Sequence, residues 1–239
     1  VTASEAADAK AIVSRVRNSV IQVRTFFGNN AAPLSHGSAF AVGPDLFATN
    51  YHVVAAHVFK PTRNRLEYRT SDGAKTGPVQ IVAIDVRNDL ALISASGLAA
   101  APVQLQNTVP AKGARAYSVG FPLDVGLTIT EGVSNGLVDE TFQPRIHYSG
   151  PVNGGMSGGP AFDASGNVIG VNVSGYLFQQ SVAFFVPAAQ LQALLALPRT
   201  TTPTPDELQK SLTTQMRAHS ASLLSALGGP MKTQVSAGY

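Results

Sequence analysis

The chain has 239 residues, enough for one sizeable core or two packed ones without help from disulfides or a structural metal. With 44% hydrophobic and 13% charged residues, 22 Gly, 15 Pro and no Cys, it is globular and turn-rich. A disulfide scaffold, a thiol nucleophile, thiolate zinc sites and iron–sulfur clusters are excluded. The net charge of +3 comes from 17 basic and 14 acidic residues scattered without a basic block, so it carries no nucleic-acid reading.

The first residues, Ser4 to about Arg17, place Ala6, Ala9, Ile12, Val13 and Val16 at helical spacing. Ser4 offers an N-cap and Glu5 and Asp8 suit a helix start, which predicts an N-terminal helix within 1–18. From Val20 the period shortens. Val20–Phe27, Gly37–Val42, Leu46–Thr49, Leu66–Thr70, Gln80–Asp85 and Leu90–Ser94 are β-branched or aromatic runs separated by turn-formers such as Asn-Asn and Ser-Asp-Gly. They predict an all-β unit over 19–105. After a Gly/Ala/Pro-rich stretch, a second set predicts another over 106–197: Arg115–Val119, Leu127–Ser134, Asn135–Asp139, Arg145–Tyr148, Pro160–Asp163, Val168–Val173 and Ser181–Val186. Two barrels or sandwiches are the expected fold class.

Residues 198–239 differ. After Arg199–Pro205, Asp206 and Glu207 open a segment with Leu208, Leu212, Met216, Leu223, Leu224 and Leu227 near one face, ending at Gly228-Gly229-Pro230. Packing on the barrels is the plain reading of this amphipathic helix, and an interaction or oligomerisation helix is its rival. No stretch approaches the run of about 18 apolar residues that a spanning helix needs. From Val1 onward there is no basic, apolar, small-residue progression of a secretory leader.

Three stretches carry chemistry. In Gly154-Gly155-Met156-Ser157-Gly158-Gly159-Pro160, glycines around a Ser let backbone approach a substrate closely, and the N–H groups of Gly155 and Ser157 can converge on an oxyanion. The run also matches G-x-S-x-G, but that elbow needs an acid, then a His, after the Ser and a helix directly behind it. Only His219 follows, and Pro160–Val171 reads strand, turn, strand. Upstream, Thr49-Asn50-Tyr51-His52-Val53-Val54 sets a His at a strand end where a loop can present its imidazole. On a helix His57 would lie about 140° round from His52, so no shared-face zinc pair arises. His36, His147 and His219 read as surface or structural, His147 with some claim to a cleft. Asp89, in Asn88-Asp89-Leu90-Ala91-Leu92, precedes an apolar strand, where a carboxylate needs a partner such as an imidazole N–H. Asp85 reads as a turn residue.

Taken in order, Thr49–Val54, Asp85–Leu92 and Gly155–Pro160 resemble the three catalytic segments of trypsin-like serine proteases, in particular the bacterial HtrA-like (Deg) branch. Gly37-Ser38-Ala39-Phe40, Glu131–Val138 and Val182–Pro187 extend the resemblance over roughly 19–197. It implies two six-stranded antiparallel β-barrels with short terminal helices and a cleft between the barrels. It also implies a triad of His52, Asp89 and Ser157, an oxyanion loop of Gly155, Met156 and Ser157, and a specificity pocket walled by Pro151, Val152, Asn172, Val173 and Ser174. Neither wall offers a carboxylate, so an apolar or small residue is the expected preference. The resemblance further implies polypeptide substrates, no cofactor, no metal and a periplasmic or secreted location. Met156 departs from it: the branch usually carries Asn there, and digestive proteases an Asp that captures a freed N-terminus. Activation by N-terminal insertion is therefore not expected, and a thioether cannot reproduce an amide's hydrogen bonds. HtrA-like proteins usually continue into a PDZ domain, and 198–239 is too short for one. The alternative is an inactive or resting protease-fold module that binds protein partners through its cleft or tail helix.

Overall fold

The computed structural model describes residues 3–138, 142–173, 183–199 and 202–236. Alternating β-branched and aromatic residues form β1 (Val20–Phe27), β2 (Ser35–Gly43), β3 (Leu46–Thr49), β4 (Asn64–Thr70), β5 (Thr76–Pro78), β6 (Gln80–Asp85) and β7 (Leu90–Ser94). These make one antiparallel sheet in the order β5-β4-β1-β2-β3-β7-β6. The remaining strands, β8 (Ala114–Gly120), β9 (Thr128–Leu137), β10 (Ile146–Tyr148), β11 (Pro160–Asp163), β12 (Val168–Val173) and β13 (Ala183–Pro187), close an antiparallel barrel, β10-β13-β12-β11-β8-β9. The mostly-β architecture in two units is thus present. The first unit differs in detail: it is a seven-stranded half-barrel with β5 and β6 at its edges. The added β5 is a three-residue strand containing Gly and Pro, a composition that suits an edge and gives little strand signal in sequence.

Three apolar clusters hold these units. Ile21, Val23, Phe47, Leu66, Ile81 and Ile93 fill the first sheet, and Ile146, Tyr148, Ile169 and Phe185 fill the barrel. Between them a third cluster joins Phe40, Leu90 and Leu92 of the sheet to Tyr117, Phe162 and Val171 of the barrel. The interface between the units is therefore itself a packed core, and segments that cross it are held from both sides.

Four α-helices stand beside the strands among the described residues. In α1 (Ala3–Val16) Ile12 and Val16 plug the inter-unit cluster. α2 (Tyr51–Phe59) stands where a loop was expected after the strand; its β-branched residues Val53, Val54 and Val58 masked the helical period, and all three are buried. α3 (Ala188–Ala196) follows β13 and buries Leu191 and Leu194. α4 (Pro205–Ser236) is long, at 32 residues, rather than short. It passes through Gly228-Gly229-Pro230 instead of ending there, and Met231, Lys232 and Gln234 beyond them favour helix. Only part of its apolar face is used: Leu208 and Leu212 are buried, whereas Met216 and Leu224 are exposed. Among the described residues no helix is long and apolar enough to cross a membrane.

Candidate active site

The site begins with a helix start. β3 ends at Thr49, Asn50 is the N-cap of α2, and His52 falls in its first turn, where backbone N–H groups lack intrahelical partners. Asn50 does not cap with its own side chain. Asp89, reached from the other end of the β6–β7 turn, does so instead: its Oδ1 accepts the His52 backbone N–H at 2.9 Å, and its Oδ2 lies 2.8 Å from His52 Nδ1. One carboxylate thereby holds both the main chain and the ring of the same residue. A carboxylate at a helix N-terminus is also favoured by the helix dipole. An ionised carboxylate can only accept, so Nδ1 carries the proton and Nε2 of neutral His52 presents a lone pair. The ring is 44% exposed and able to use it.

Asp89 sits in the left-handed region at φ 60°, which few residues other than Gly adopt. Asn50 Nδ2 secures that shape by donating to the Asp89 carbonyl at 2.9 Å. The neighbouring acid is otherwise engaged. Asp85 accepts from the Asn88 backbone N–H and side-chain amide at 3.0 and 2.7 Å, closing the turn. Tyr51, beside this group, has its phenol pKa raised, first by burial and then by the Asp89 charge. His57 faces elsewhere: its Nδ1 donates to the Asn64 carbonyl at 2.5 Å.

Ser157, only 4% exposed, arrives from the barrel. Its carbonyl accepts the Ser38 N–H at 2.7 Å. Gly158, at φ 83°, packs so tightly that a Cβ there would collide with the Ser38 carbonyl and the Thr49 hydroxyl and lie 3.0 Å from Asn50 N. The Ser157 loop is thus pressed against the strand end that leads through Asn50 and Tyr51 to His52.

The preceding loop is fixed by the Ser38 side chain and by backbone N–H groups. Ser38 Oγ donates to the Gly155 carbonyl at 2.8 Å and accepts the Phe121 N–H at 3.0 Å. Leu123 N–H donates to the Gly154 carbonyl at 3.1 Å. In a trans peptide C=O and N–H are antiparallel, so this bond turns the Gly155 N–H away from Leu123. Gly155 itself has φ 97° and abuts Phe121 O and the His36 ring, which leaves no room for a side chain. Met156 is fully buried, and its N–H donates to the Asn153 carbonyl at 3.0 Å. Its N–H is thus spent inside the loop.

The expected pocket walls divide. Pro151 is exposed, its carbonyl held by Thr130 Oγ1 at 2.7 Å, and Val152 is half-buried against the barrel core. Val173 is half-buried. Asn172 lines no surface: it is fully buried, and its Nδ2 donates to Val119 O at 2.9 Å and lies 3.4 Å from Met156 O and 3.5 Å from Pro160 O. It backs the Ser157 loop from inside, because a polar side chain facing inward between Val171 and Val173 must spend its donors on carbonyls. That inward polar residue in an apolar run was the sequence signal for its role. Ser174 lies outside the described residues. Among the described residues no cluster of His, Asp and Glu could hold a metal ion.

The trypsin-like peptidase domain family model matches residues 37–171, which include His52, Asp89 and Ser157. Anti-sigma-I factor RsgI9 of Acetivibrio thermocellus is 32% identical over 167 residues, covering 69% of this chain and 22% of the relative. Serine protease HTRA1 of Xenopus tropicalis is 28% identical over 201 residues, 77% of this chain and 42% of the relative. The chain spans less than half the length of either. Among solved structures, the active form of the Rv3671c protease from M. tuberculosis superposes with a TM-score of 0.69 at 22% identity, covering 81% of this chain and 87% of that one. That likeness is one of fold.

Proposed function

This chain belongs to the trypsin-like peptidase family, with HtrA-type proteases among its relatives, and from that premise we propose that it is a serine endopeptidase working through His52, Asp89 and Ser157. The observation that carries the reading is the Asp89 carboxylate bound to both the backbone N–H and Nδ1 of His52. It leaves Nε2 basic on the ring edge, next to the strand end on which the Ser157 loop is packed.

In this reading His52 Nε2 takes the Ser157 hydroxyl proton as Oγ attacks the scissile carbonyl. The carbonyl oxygen gains negative charge and is received by the N–H groups of Gly155 and Ser157, each worth about 10²–10³-fold. Asp89 stabilises the imidazolium, which then protonates the leaving amine as the C–N bond breaks, leaving an ester on Ser157. Water, deprotonated by the same His52, hydrolyses that ester and restores the hydroxyl. Val152 and Val173 supply apolar pocket walls, supporting cleavage after small or apolar residues of polypeptides. A periplasmic or secreted site of action follows the relatives.

A fluorophosphonate probe tests the reading. Folded wild type should label, and Ser157→Ala should abolish labelling. A folded wild type that does not label would overturn the endopeptidase reading in favour of a binding module.

A further inference from the structure

α4 lies across the back of the two segments that carry His52 and Asp89. Leu208 and Leu212 share a core with Val54 and Val58 of α2 and Ile84 of β6. Polar side chains of α4 then reach backbone on both segments. Gln209 Nε2 lies 3.4 Å from the carbonyls of Val58 and Phe59 at the end of α2. Gln215 takes two backbone groups at the end of β6: Nε2 donates to Ile84 O, and Oε1 accepts the Val86 N–H, each at 2.8 Å.

β6 is an edge strand, whose outward N–H and C=O groups have no neighbouring strand. The Gln215 carboxamide does for that edge what one residue of a further strand would do. Its orientation is set by Ser211 Oγ, 3.1 Å from Nε2, which accepts from it. From Val86 the chain of contacts continues inward. Asp89 N–H approaches the Val86 carbonyl at 3.4 Å, closing the turn in which Asp89 takes its left-handed φ, and the Asp89 carboxylate then holds His52.

We propose that Gln215 is a positioning residue for Asp89. Its carboxamide pins the Ile84–Val86 backbone, fixes the 86–89 turn, and through that turn sets the hydrogen bond between Asp89 and His52 Nδ1. Gln215 touches neither substrate nor reacting atoms. Its effect on rate rests on the endopeptidase reading above, while its effect on the His52–Asp89 bond does not.

The test compares full-length wild type with Gln215→Leu, which fills similar space without either hydrogen bond, and with Ser211→Ala, which leaves the buried contacts alone and frees the amide to turn. The first readout is the NMR resonance of the His52 Nδ1 proton and its exchange with solvent, neither of which a merely structural role would move in a folded variant. The second is the fluorophosphonate labelling rate of Ser157. In Gln215→Leu the proton resonance should shift and its exchange with solvent should quicken, because a looser carboxylate holds it less firmly. Labelling should slow by about ten- to a hundredfold, the scale of a small misplacement transmitted from a distance. Ser211→Ala should move both in the same direction by less, and it decides the matter if Gln215→Leu does not fold. A folded variant in which the His52 Nδ1 proton keeps its resonance and exchange rate overturns the proposal. If wild type does not label, the endopeptidase reading fails on that result alone, and the His52 resonance still decides this one.

Discussion

Asn50 holds the Asp89 backbone while Asp89 supplies the helix cap that Asn50 does not. The Asn50 side chain, at the N-cap of α2, donates to the Asp89 carbonyl at 2.9 Å, and the Asp89 carboxylate accepts the His52 N–H at 2.9 Å, a bond that an N-cap side chain commonly makes for itself. The arrangement ties the helix bearing His52 to the turn bearing Asp89 by two bonds, both donated from the helix side and accepted by Asp89. It also offsets the left-handed backbone of Asp89, where a residue with a side chain sits at a cost of about 1 kcal/mol or more.

Asn50→Ala should therefore act on orientation more than on the fold. Removing one donor should cost about 1 kcal/mol of stability, read in urea melts. The turnover number should fall about tenfold or more while KM stays close to wild type, since the lost bond positions His52 and not the substrate. Steady-state kinetics on a peptide substrate check this. A turnover number equal to wild type would mean that the turn holds Asp89 without Asn50.

The parts of the site that could be read from sequence are those with local signals. Ser157 is marked by its glycines, and Asp89 by its place before an apolar strand. Asp85 reads as a turn residue but is the last residue of β6, from which its carboxylate closes the turn onto Asn88. What holds these residues was not readable, because it comes from remote segments. Ser38 reaches Gly155 across 117 positions, and Gln215 reaches Val86 across 129. No periodicity or spacing encodes such contacts. The same holds for the fold: the strand runs stood out, but α2 is nearly all apolar, with Val53 and Val54 side by side, and so carries almost no amphipathic contrast for a helix to show.

Asn172 is the buried support of the Ser157 loop, and its loss should be felt in both stability and rate. Asn172→Ala leaves Val119 O without its donor at 2.9 Å and removes the side-chain amide that lies 3.4 Å from Met156 O. A buried carbonyl left unpaired costs about 1–3 kcal/mol, so denaturation midpoints should drop accordingly. With the loop loosened, the Gly155 and Ser157 N–H groups lose alignment, and the turnover number should fall by about 10²-fold, the scale of one oxyanion donor. Stability lost with turnover unchanged would confine Asn172 to packing.

Tyr148 gives the barrel an alkaline limit. Its side chain is fully buried against Phe185, with ring centroids 4.7 Å apart, and its hydroxyl donates to Thr130 O at 3.1 Å. Burial, aided by the Glu131 charge, pushes its pKa up to about 12 from 10.0. The folded state therefore keeps the phenol proton that the unfolded chain releases near pH 10. Below pH 10 this contribution to stability is fully present. As pH rises from 10 toward 12 the unfolded state binds fewer protons, and stability declines by up to about 2–3 kcal/mol. Tyr148→Phe removes the ionisation along with the hydrogen bond to Thr130. It should be less stable than wild type by about 1 kcal/mol at pH 8, and the gap should shrink or reverse by pH 11. Urea melts of both proteins at pH 8, 10 and 11 measure this. Parallel losses over that range would show that the buried phenol does not set the alkaline limit.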